Sequence, residues 1–369
     1  MMRIICSQSE LLKSLNIALK AVPVRTTMPI LQYVMIDATT SDIRLTTNDM
    51  QIGIETLVKG KIIERGKVAL DAKTLMDFVN NLPDGDVNIS VDEQMTARIN
   101  SGKALFTITG KSGEDFPYLQ MIPRNNPISV SQLVLKDTIR QTIFSVSENE
   151  SNLIMTGELF EIDNNRMRVT SLDGHRISIR YINLKNGQSK VSAIVPKKAI
   201  SELSKILNGS MEDMVNIYVT ENHIVFDFEQ TTMVSRLIEG KFFDIDRMLS
   251  NDYDTKVTIN RKNAIESMKR ASLMVNEMDK KPIIFDIREQ LFNMSIKSYR
   301  GNYEDELPII QEGKDLKIAF NPKFMIEALR SIDDENVNMY FLNHISPCFI
   351  RDDDGNYIYL ILPVNYNLG

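Results

Sequence analysis

The sequence predicts three tandem copies of one α+β domain, each with two helices packed on antiparallel sheets. Three segments that align in register carry this prediction: VALDAKTLMDFVNNLPDGDVNISV from Val68, AIVPKKAISELSKILNGSMEDMVNIYV from Ala193 and IAFNPKFMIEALRSIDDENVNMYF from Ile318. Each reads as a short apolar strand, a helix of about eleven residues, an acidic turn and a second strand. The matching residues Val68, Ile194 and Ile318 are 126 and 124 residues apart, close to one third of the 369-residue chain.

The first half of each third also repeats, although less strongly. Three segments read as amphipathic helices, at residues 9–22, 135–147 and 260–275. The apolar stripe of the first comprises Leu11, Leu15, Ala18, Leu19 and Val22, and that of the last comprises Ile265, Met268 and Val275. Alternating residues between the helices, as in DIRLTTNDMQIGIETL and NNRMRVTSLDGHRISIRYI, predict strands. The repeat therefore predicts domains at residues 1–126, 127–249 and 250–369.

Composition excludes several classes of protein. The chain has 43% hydrophobic and 25% charged residues, as in a soluble globular protein, and its apolar runs fall short of the roughly 20 residues of a membrane helix. Cys6 and Cys348 lie at opposite ends of the chain and predict free thiols in a reducing cytoplasm. The three histidines share no metal-ligand spacing, and the sequence has no phosphate-binding glycine motif. We therefore predict neither a metal site nor a cofactor.

Positive charge is concentrated in the predicted helices. Taken as residues 9–22, 72–82, 135–147, 196–208, 260–275 and 321–332, they carry 14 Lys or Arg and 6 Asp or Glu, a net charge of +8. Because the net charge of the whole chain is −6, the remaining residues carry −14. Residues seven apart share a helix face, and four helices have basic pairs at this spacing: Lys13/Lys20, Lys198/Lys205, Lys262/Lys269 and Lys323/Arg330. We predict helices that contact the phosphates of a polyanion, and an acidic exterior.

The stretch TSLDGHRIS, residues 170–178, leaves more than one interpretation open. Ser171, Asp173 and His175 could serve a hydrolase, since side chains two apart on a strand share a face. Gly174 instead indicates a turn or a close backbone approach, and the sequence shows no nucleophile elbow here. Asp173 and His175 would then shape a loop. A third hypothesis is a tandem-repeat scaffold that binds peptides but no DNA, against which the segregated helix charge argues.

Four motifs within this repeat framework resemble one known family. MPIL at Met28–Leu31, EDFP at Glu114–Pro117, SLDGHRIS in the middle repeat and an LPV-type terminus at Leu362–Val364 are similar to the bacterial β sliding clamps, the processivity subunits of DNA polymerase III. The resemblance covers essentially the whole chain. It implies clamp-type domains in a head-to-tail homodimeric ring, with helices inside and sheets outside, which encircles double-stranded DNA independently of its sequence.

The resemblance also implies a non-catalytic role and a set of partners. The replicative polymerase, the clamp loader and repair proteins would dock short linear motifs in a hydrophobic cleft between the second and third domains. The implied location is the bacterial cytoplasm, in association with the nucleoid. No membrane partner is implied.

The resemblance implies the residues of the cleft and of a dimer interface, whereas the helix spacing indicates most of the DNA-facing residues. The cleft would comprise Met155, Leu172, Gly174, His175, Arg176, Ile177, Phe243, Arg247, Met248, Ser346, Leu360, Leu362, Pro363 and Val364. The DNA-facing residues indicated by the helix spacing are Lys13, Lys20, Lys198, Lys205, Lys262, Lys269, Lys323 and Arg330. The resemblance adds Arg25, Lys73 and Lys197 to this set. The edge strand 103–108 (KALFTI) would meet the third domain of the other subunit in a dimer interface of Lys103, Phe106, Ile108, Leu273 and Met274.

Some cleft positions carry further expectations. Met155 is expected on a strand, and Ser346 on the strand that pairs with the C-terminal strand at residues 357–364. Two positions depart from the family pattern. Phe243 stands where a proline is usual, which predicts a bulkier or differently turned wall, and Asn365 in the terminal NYNLG stands where an arginine is common.

Overall fold

The predicted helices are present at their predicted positions. The computed structural model describes residues 1–117, 122–275 and 281–366. Within these ranges the α-helices are α1 (Gln8–Ala18), α2 (Ala72–Asn80), α3 (Gln132–Thr142), α4 (Lys197–Ile206), α5 (Arg261–Ser272) and α6 (Pro322–Ser331). Two predicted helices end differently, because α1 tightens into the 3-10 helix Leu19–Ala21 and α3 into the 3-10 helix Ile143–Ser145.

Side-chain caps explain where the helices of the first and third repeats begin. The side chain of Ser7 accepts the N–H of Glu10 at 3.2 Å, and that of Asp71 accepts the N–H of Thr74 at 2.9 Å. Asn260 and Asn321 cap α5 and α6 in the same way. Each cap satisfies a backbone donor that the helix itself leaves without a partner.

The chain forms two compact units, and the first comprises residues 1–133 and 198–237. Its strands are β1 (Met2–Ser7), β2 (Tyr33–Asp37), β3 (Ile43–Asn48), β4 (Ile52–Val58), β5 (Gly60–Glu64), β6 (Lys67–Asp71), β7 (Asp86–Val91), β8 (Thr96–Ser101), β9 (Ala104–Thr109), β10 (Lys111–Ser112), β11 (Ile128–Ser131), β14 (Met214–Val219), β15 (His223–Phe228) and β16 (Thr231–Arg236). They form a five-stranded sheet, β5-β1-β7-β8-β9, and a nine-stranded sheet, β10-β6-β2-β3-β4-β16-β15-β14-β11. In the nine-stranded sheet β4 pairs antiparallel with β16, Thr56 opposite Thr231, so the first and second repeats share one sheet.

The second unit comprises residues 134–197 and 238–369. Its strands are β12 (Gly157–Leu172), β13 (Arg176–Pro196), β17 (Thr255–Asn260), β18 (Ile283–Arg288), β19 (Leu291–Ser298), β20 (Gly301–Pro308), β21 (Ile310–Gly313), β22 (Leu316–Phe320), β23 (Asn336–Phe341), β24 (Cys348–Arg351) and β25 (Tyr357–Ile361). They form a seven-stranded sheet, β12-β13-β25-β24-β23-β17-β21, and a four-stranded sheet, β20-β19-β18-β22. Antiparallel pairing of β13 with β25 joins the second repeat to the third.

Each unit has a core between helices and sheets, as the α+β prediction requires. In the first unit Leu11, Leu15 and Ala18 are fully buried, and Leu19 and Val22 pack partly buried against them. In the second unit the stripe of α5 is buried in the same way at Ile265 and Met268, with Val275 partly buried. Apolar residues at helical spacing therefore meet the inward faces of antiparallel strands in both units.

Candidate functional site

The DGHR motif is a turn that one carboxylate closes. Leu172 ends β12 and Arg176 begins β13, so the residues between them must reverse the chain. One oxygen of Asp173 accepts the N–H of His175 at 3.1 Å, and the other accepts Nε of Arg176 at 2.9 Å. Gly174 has a φ of +87°, a conformation that a residue with a Cβ adopts only with strain. The motif is thus an Asp-closed turn, as the loop interpretation predicted.

Arg176 fastens this turn to two helical segments. Its side chain is 7% exposed, and it donates to the carbonyl of Phe144 at 2.6 Å and to the carboxylate of Glu327 on α6. The guanidinium also lies 4.5 Å from the ring centroid of Phe324. A buried guanidinium is stable only when its donors are satisfied, so Arg176 supports the wall rather than offering a free charge to a ligand.

The geometry does not assemble a Ser–His–Asp relay. The hydroxyl of Ser171 is buried and donates to the carbonyl of Thr142 at 2.5 Å. The carboxylate of Asp173 is occupied by the turn, and the ring of His175 stacks on Phe324 with centroids 5.8 Å apart. A relay needs the base to contact both the nucleophile and the acid. The three side chains are engaged with other groups instead.

An apolar cavity of about 370 Å³ lies beside the turn. It is lined by Met155, Leu172, Gly174, Arg176, Ile177, Phe243, Met248, Pro347, Leu360 and Leu362. Nine of these residues belong to the predicted cleft, and Pro347 was missed because only its neighbour Ser346 was considered. Pairing of β13 with β25 sets Ile177 opposite Leu360, which places the two strands of the motif side by side in the wall.

The structure places the other five predicted cleft residues outside this lining. His175 faces Phe324, and Arg247 is 86% exposed in an ion pair with Asp244 at 2.7 Å. Ser346 donates its N–H to Asn343, and Pro363 and Val364 follow β25, Val364 bonding to the carbonyl of Ala319 at 2.8 Å.

Two expected element assignments for the cleft are wrong. Met155 lies on the 3-10 helix Leu153–Thr156 rather than on a strand. Ser346 lies in the bend before β24, because the strand begins only after Pro347, which has no N–H to donate to a ladder. The C-terminal strand likewise ends at Ile361, before Pro363. Residues 367–369 of the NYNLG terminus lie outside the described residues.

Phe243 supplies an aromatic wall to the cavity. Its ring meets Phe242 edge-on, with centroids 5.9 Å apart, and packs partly buried against the apolar cluster that contains Phe242, Leu172 and Leu360. Met248, on the 3-10 helix Ile245–Met248, is 49% exposed, and Leu362 is 40% exposed. Apolar side chains exposed at a concave surface fit apolar anchors of a short peptide, and methionine adapts to several of them.

The predicted DNA-facing cations all lie at the surface of their own unit. Lys20 and Lys197 are half-buried, and the other nine are exposed. Three of the pairs seven residues apart lie within one α-helix each, on α4, α5 and α6, whereas Lys20 lies on the 3-10 helix that follows α1. Several of these cations also lie within 4.0 Å of a carboxylate oxygen.

The predicted dimer residues lie at or near the outer strands β9 and β20, which pair on one side only among the described residues. β9 is the outer strand of the five-stranded sheet, and its exposed Leu105 was missed by the prediction. Phe106 and Ile108 point inward, and Phe106 stacks on Phe78 with centroids 4.3 Å apart. Lys103 lies in the turn before β9. After α5, Leu273 is 67% exposed, and Met274 packs partly buried against the core.

Three further features of the described residues concern another cavity, metal binding and membrane insertion. A separate cavity of about 400 Å³ is lined by polar and charged side chains such as Asp333, Asp352 and Arg351. Residues 1–117, 122–275 and 281–366 contain no cluster of His, Cys, Asp and Glu arranged to hold a metal ion. Within the same ranges no helix combines the length and the apolarity needed to cross a bilayer.

Comparison with known proteins identifies the family. Three family models of the DNA polymerase III beta subunit match in order: the N-terminal domain at residues 2–120, the central domain at 129–244 and the C-terminal domain at 246–365. The beta sliding clamps of Staphylococcus epidermidis and Staphylococcus aureus are 33% and 32% identical over 375 residues, covering 99% of this chain and 99% of each relative.

Solved structures agree with this comparison. A putative DNA polymerase III beta subunit from Eubacterium rectale is 54% identical, with a TM-score of 0.96 over 99% of this chain and 100% of that chain. The DNA polymerase sliding clamp from Bacillus subtilis is 30% identical, with a TM-score of 0.95 over the same shares. Three tandem α+β domains, the Asp-closed turn beside an apolar cavity and these relatives lead to one conclusion: the chain belongs to the family of bacterial DNA polymerase III beta subunits, the sliding clamps.

Proposed function

We propose that this clamp subunit holds the short peptides of its partner proteins in the apolar cavity beside the DGHR turn. Members of the family are non-catalytic processivity factors that work as dimeric rings on DNA and bind the replicative polymerase and other replication proteins. The chain is accordingly a DNA sliding clamp of the replicative polymerase and not an enzyme. The observation that carries the docking site is the 370 Å³ cavity with apolar walls and a fixed polar rim.

The cleft is proposed to take leucine or aromatic anchors. Its walls offer Met155, Leu172 and Phe243, and its one charged lining residue, Arg176, is already paired. Apolar anchors therefore bury surface there without leaving a charge unpaired. His175, Arg247, Ser346, Pro363 and Val364 remain proposed rim residues, which a longer peptide would reach beyond the cavity.

Ring closure is proposed to join two sheet edges from different copies. The five-stranded sheet ends at β9 and the four-stranded sheet ends at β20, and together they would make a nine-stranded sheet like the one inside the first unit. β20 carries Glu304, Asp305 and Glu306, whereas Lys103 stands at the start of β9. The opposite charges on the two strands and the backbone groups along their outer edges favour head-to-tail pairing of two subunits. Leu273 and Met274 would lie beside this contact.

Domain boundaries near residues 126 and 249 belong to the same proposal. The three family models fall within residues 1–126, 127–249 and 250–369, except that the model of the C-terminal domain already begins at residue 246. Each proposed domain contains two helices, and the middle one shares strands with both neighbours.

The basic helix faces are proposed to contact DNA. Their cations have flexible side chains suited to phosphates, without interleaved aromatic platforms for bases. Because DNA replication takes place inside the cell, the protein works there, and we propose that it is associated with the nucleoid in the cytoplasm.

Topological retention tests the proposed ring. The clamp is loaded by a clamp loader onto a nicked circular plasmid, and the bound fraction is measured by gel filtration before and after the plasmid is linearised. We expect retention on the circle and loss after linearisation, because a ring slides off a free end. Equal retention on both forms would indicate groove binding, and failure to load together with intact peptide binding would favour a scaffold without a DNA function.

A further inference from the structure

The helix faces that we propose to contact DNA also carry negative charge. Five of the proposed DNA-facing cations lie within 4.0 Å of a carboxylate: Lys13 with Glu229, Lys197 with Glu148, Lys198 with Asp49, Lys205 with Glu202 and Lys323 with Glu327. In each pair the cation keeps at least one third of its side chain exposed, at 33% for Lys197 and 71% for Lys323. The cations are therefore accessible to an external anion but already have an internal one.

Three of these carboxylates come from outside the helices. Glu229 lies at the turn between β15 and β16, Asp49 at the turn between β3 and β4, and Glu148 in the segment after the 3-10 helix Ile143–Ser145. A count of charge along the sequence assigns them to the acidic remainder of the chain. In the folded structure, however, these three carboxylates lie within 4.0 Å of lysines on the basic helix faces.

The carboxylates differ in how firmly they are held. Asp49 is fixed, because one of its oxygens accepts the N–H groups of Gln51 and Ile52 at 2.9 and 2.6 Å and leaves the other to Lys198. Glu148 is mostly exposed, and its hydrogen bond from Lys197 lowers its pKa, so it stays ionised at neutral pH. At neutral pH these five groups act as fixed or local counterions for the helix lysines.

We infer that these carboxylates weaken the contact between the helices and the DNA backbone and thereby help the ring to move along DNA. A phosphate must compete with a carboxylate for each paired lysine. Binding then releases fewer counterions from DNA per lysine than binding to a free lysine would. The inference rests on the proposed DNA-facing placement of these helices, and it concerns the strength of contact rather than its location.

The test uses full-length dimeric protein and a short linear duplex, which can enter the ring from its end. Glu148→Gln, Glu202→Gln and Glu229→Gln are made singly and together. Asp49 and Glu327 are left unchanged because Asp49 closes a turn and Glu327 also pairs with Arg176 of the cleft. Fluorescence anisotropy gives the Kd over a salt series, and native mass spectrometry checks that each variant remains a dimer.

Tighter binding is the expected result. Each substitution should lower the Kd at low salt roughly twofold to fivefold, the range of an exposed ion pair. The plot of log K against log salt should become steeper by up to about 0.9 for each lysine released. On long DNA, single-molecule tracking of the triple variant should show slower diffusion than the unchanged clamp.

Two matched sets of variants separate the possible outcomes. Lys13→Gln and Lys205→Gln should weaken binding, and Glu312→Gln should leave it unchanged, since Glu312 pairs with Lys256 on neighbouring strands rather than on a helix. Weakening by the lysine variants without tightening by the glutamate variants would overturn the inference and keep the DNA-facing assignment. No effect from either set would overturn the DNA-facing assignment itself. Equal tightening by Glu312→Gln would show an effect of net charge alone and would also reject the inference.

Discussion

At the scale of single residues, the DGHR motif shows how a cluster of reactive side chains can serve architecture. Asp173 closes the turn, Gly174 supplies its positive φ, and Arg176 joins it to α6 and to the 3-10 helix that follows α3. Removing one partner of a buried guanidinium leaves an uncompensated charge, which lowers the free energy of unfolding by on the order of 3 kcal/mol. The motif thus holds one wall of the proposed cleft in place.

Glu158 is a buried carboxyl group, and it gives a pH-dependent prediction. It is fully buried in β12, and within the described residues neither of its carboxylate oxygens has a hydrogen-bond partner. Burial raises the pKa of Glu158 from 4.5 to about 8. Because the folded value lies above the unfolded one, the folded state favours the protonated form. The stability contributed by this group is complete below about pH 4.5 and is lost as the pH rises towards 8.

Glu158→Gln should therefore stabilise the protein in a pH-dependent way. Thermal unfolding of both proteins across this range should show a higher Tm for the variant near pH 8 and a difference that shrinks towards pH 4.5. Glu212→Gln, at an exposed position, should show no such trend. A constant difference between Glu158→Gln and the unchanged protein at every pH would contradict ionisation of Glu158 as the cause.

At the scale of elements, the cleft depends on short irregular segments as much as on strands. The 3-10 helices Leu153–Thr156 and Ile245–Met248 contribute Met155 and Met248, and the bend before β24 contributes Pro347. β13 and β25 supply the rigid floor between them. Flexible methionine side chains beside two paired strands suit a site that binds several related peptides.

Met248→Lys tests this arrangement. A lysine at the cavity wall places a charge against apolar anchors, so we expect a loss of affinity of tenfold or more, since an unpaired polar group costs about 1–3 kcal/mol. Isothermal titration with a short peptide carrying leucine and phenylalanine anchors measures the effect. Met211→Lys, at a methionine that is 61% exposed, should leave the affinity unchanged. Loss of both peptide binding and the dimer in Met248→Lys would point to misfolding instead of a cleft defect.

At the scale of the whole molecule, ring closure is the property on which the function depends. Leu273 is exposed and lies beside the acidic edge strand β20, whereas Phe106 is stacked in its own core. Leu273→Asp is therefore the cleaner change. It removes apolar contact at the proposed interface and would bury a carboxylate there, without opening the core.

Leu273→Asp should yield monomers of about half the native mass, as measured by analytical ultracentrifugation, with the Tm of the monomeric fold retained. The monomer should bind the anchor peptide normally but should not remain on circular DNA. Ile63→Asp, on the opposite edge strand β5 of the same five-stranded sheet, should stay dimeric. Dissociation by Ile63→Asp but not by Leu273→Asp would place the interface at the other edge.

The repeat, the helices and strands, and the segregation of charge were predictable from the sequence alone. These follow from periodicities of about 3.6 and 2 residues, which depend on neighbours along the chain and survive without knowledge of the fold. The stripe of Leu11, Leu15 and Ala18 was predictable for this reason, and so was the turn at Gly174. Nine of the ten residues that line the cavity were found through motif resemblance.

The contacts between residues far apart in the sequence could be found only in the three-dimensional structure. Pairing of β4 with β16 and of β13 with β25 joins the middle repeat to both neighbours, and neither pairing is encoded in a local pattern. The same holds for Pro347 in the cavity wall, for Glu327 beside Arg176, and for Asp49 beside Lys198. These contacts depend on the three-dimensional approach of residues more than a hundred positions apart, where side-chain packing and charge, rather than local periodicity, select the partner.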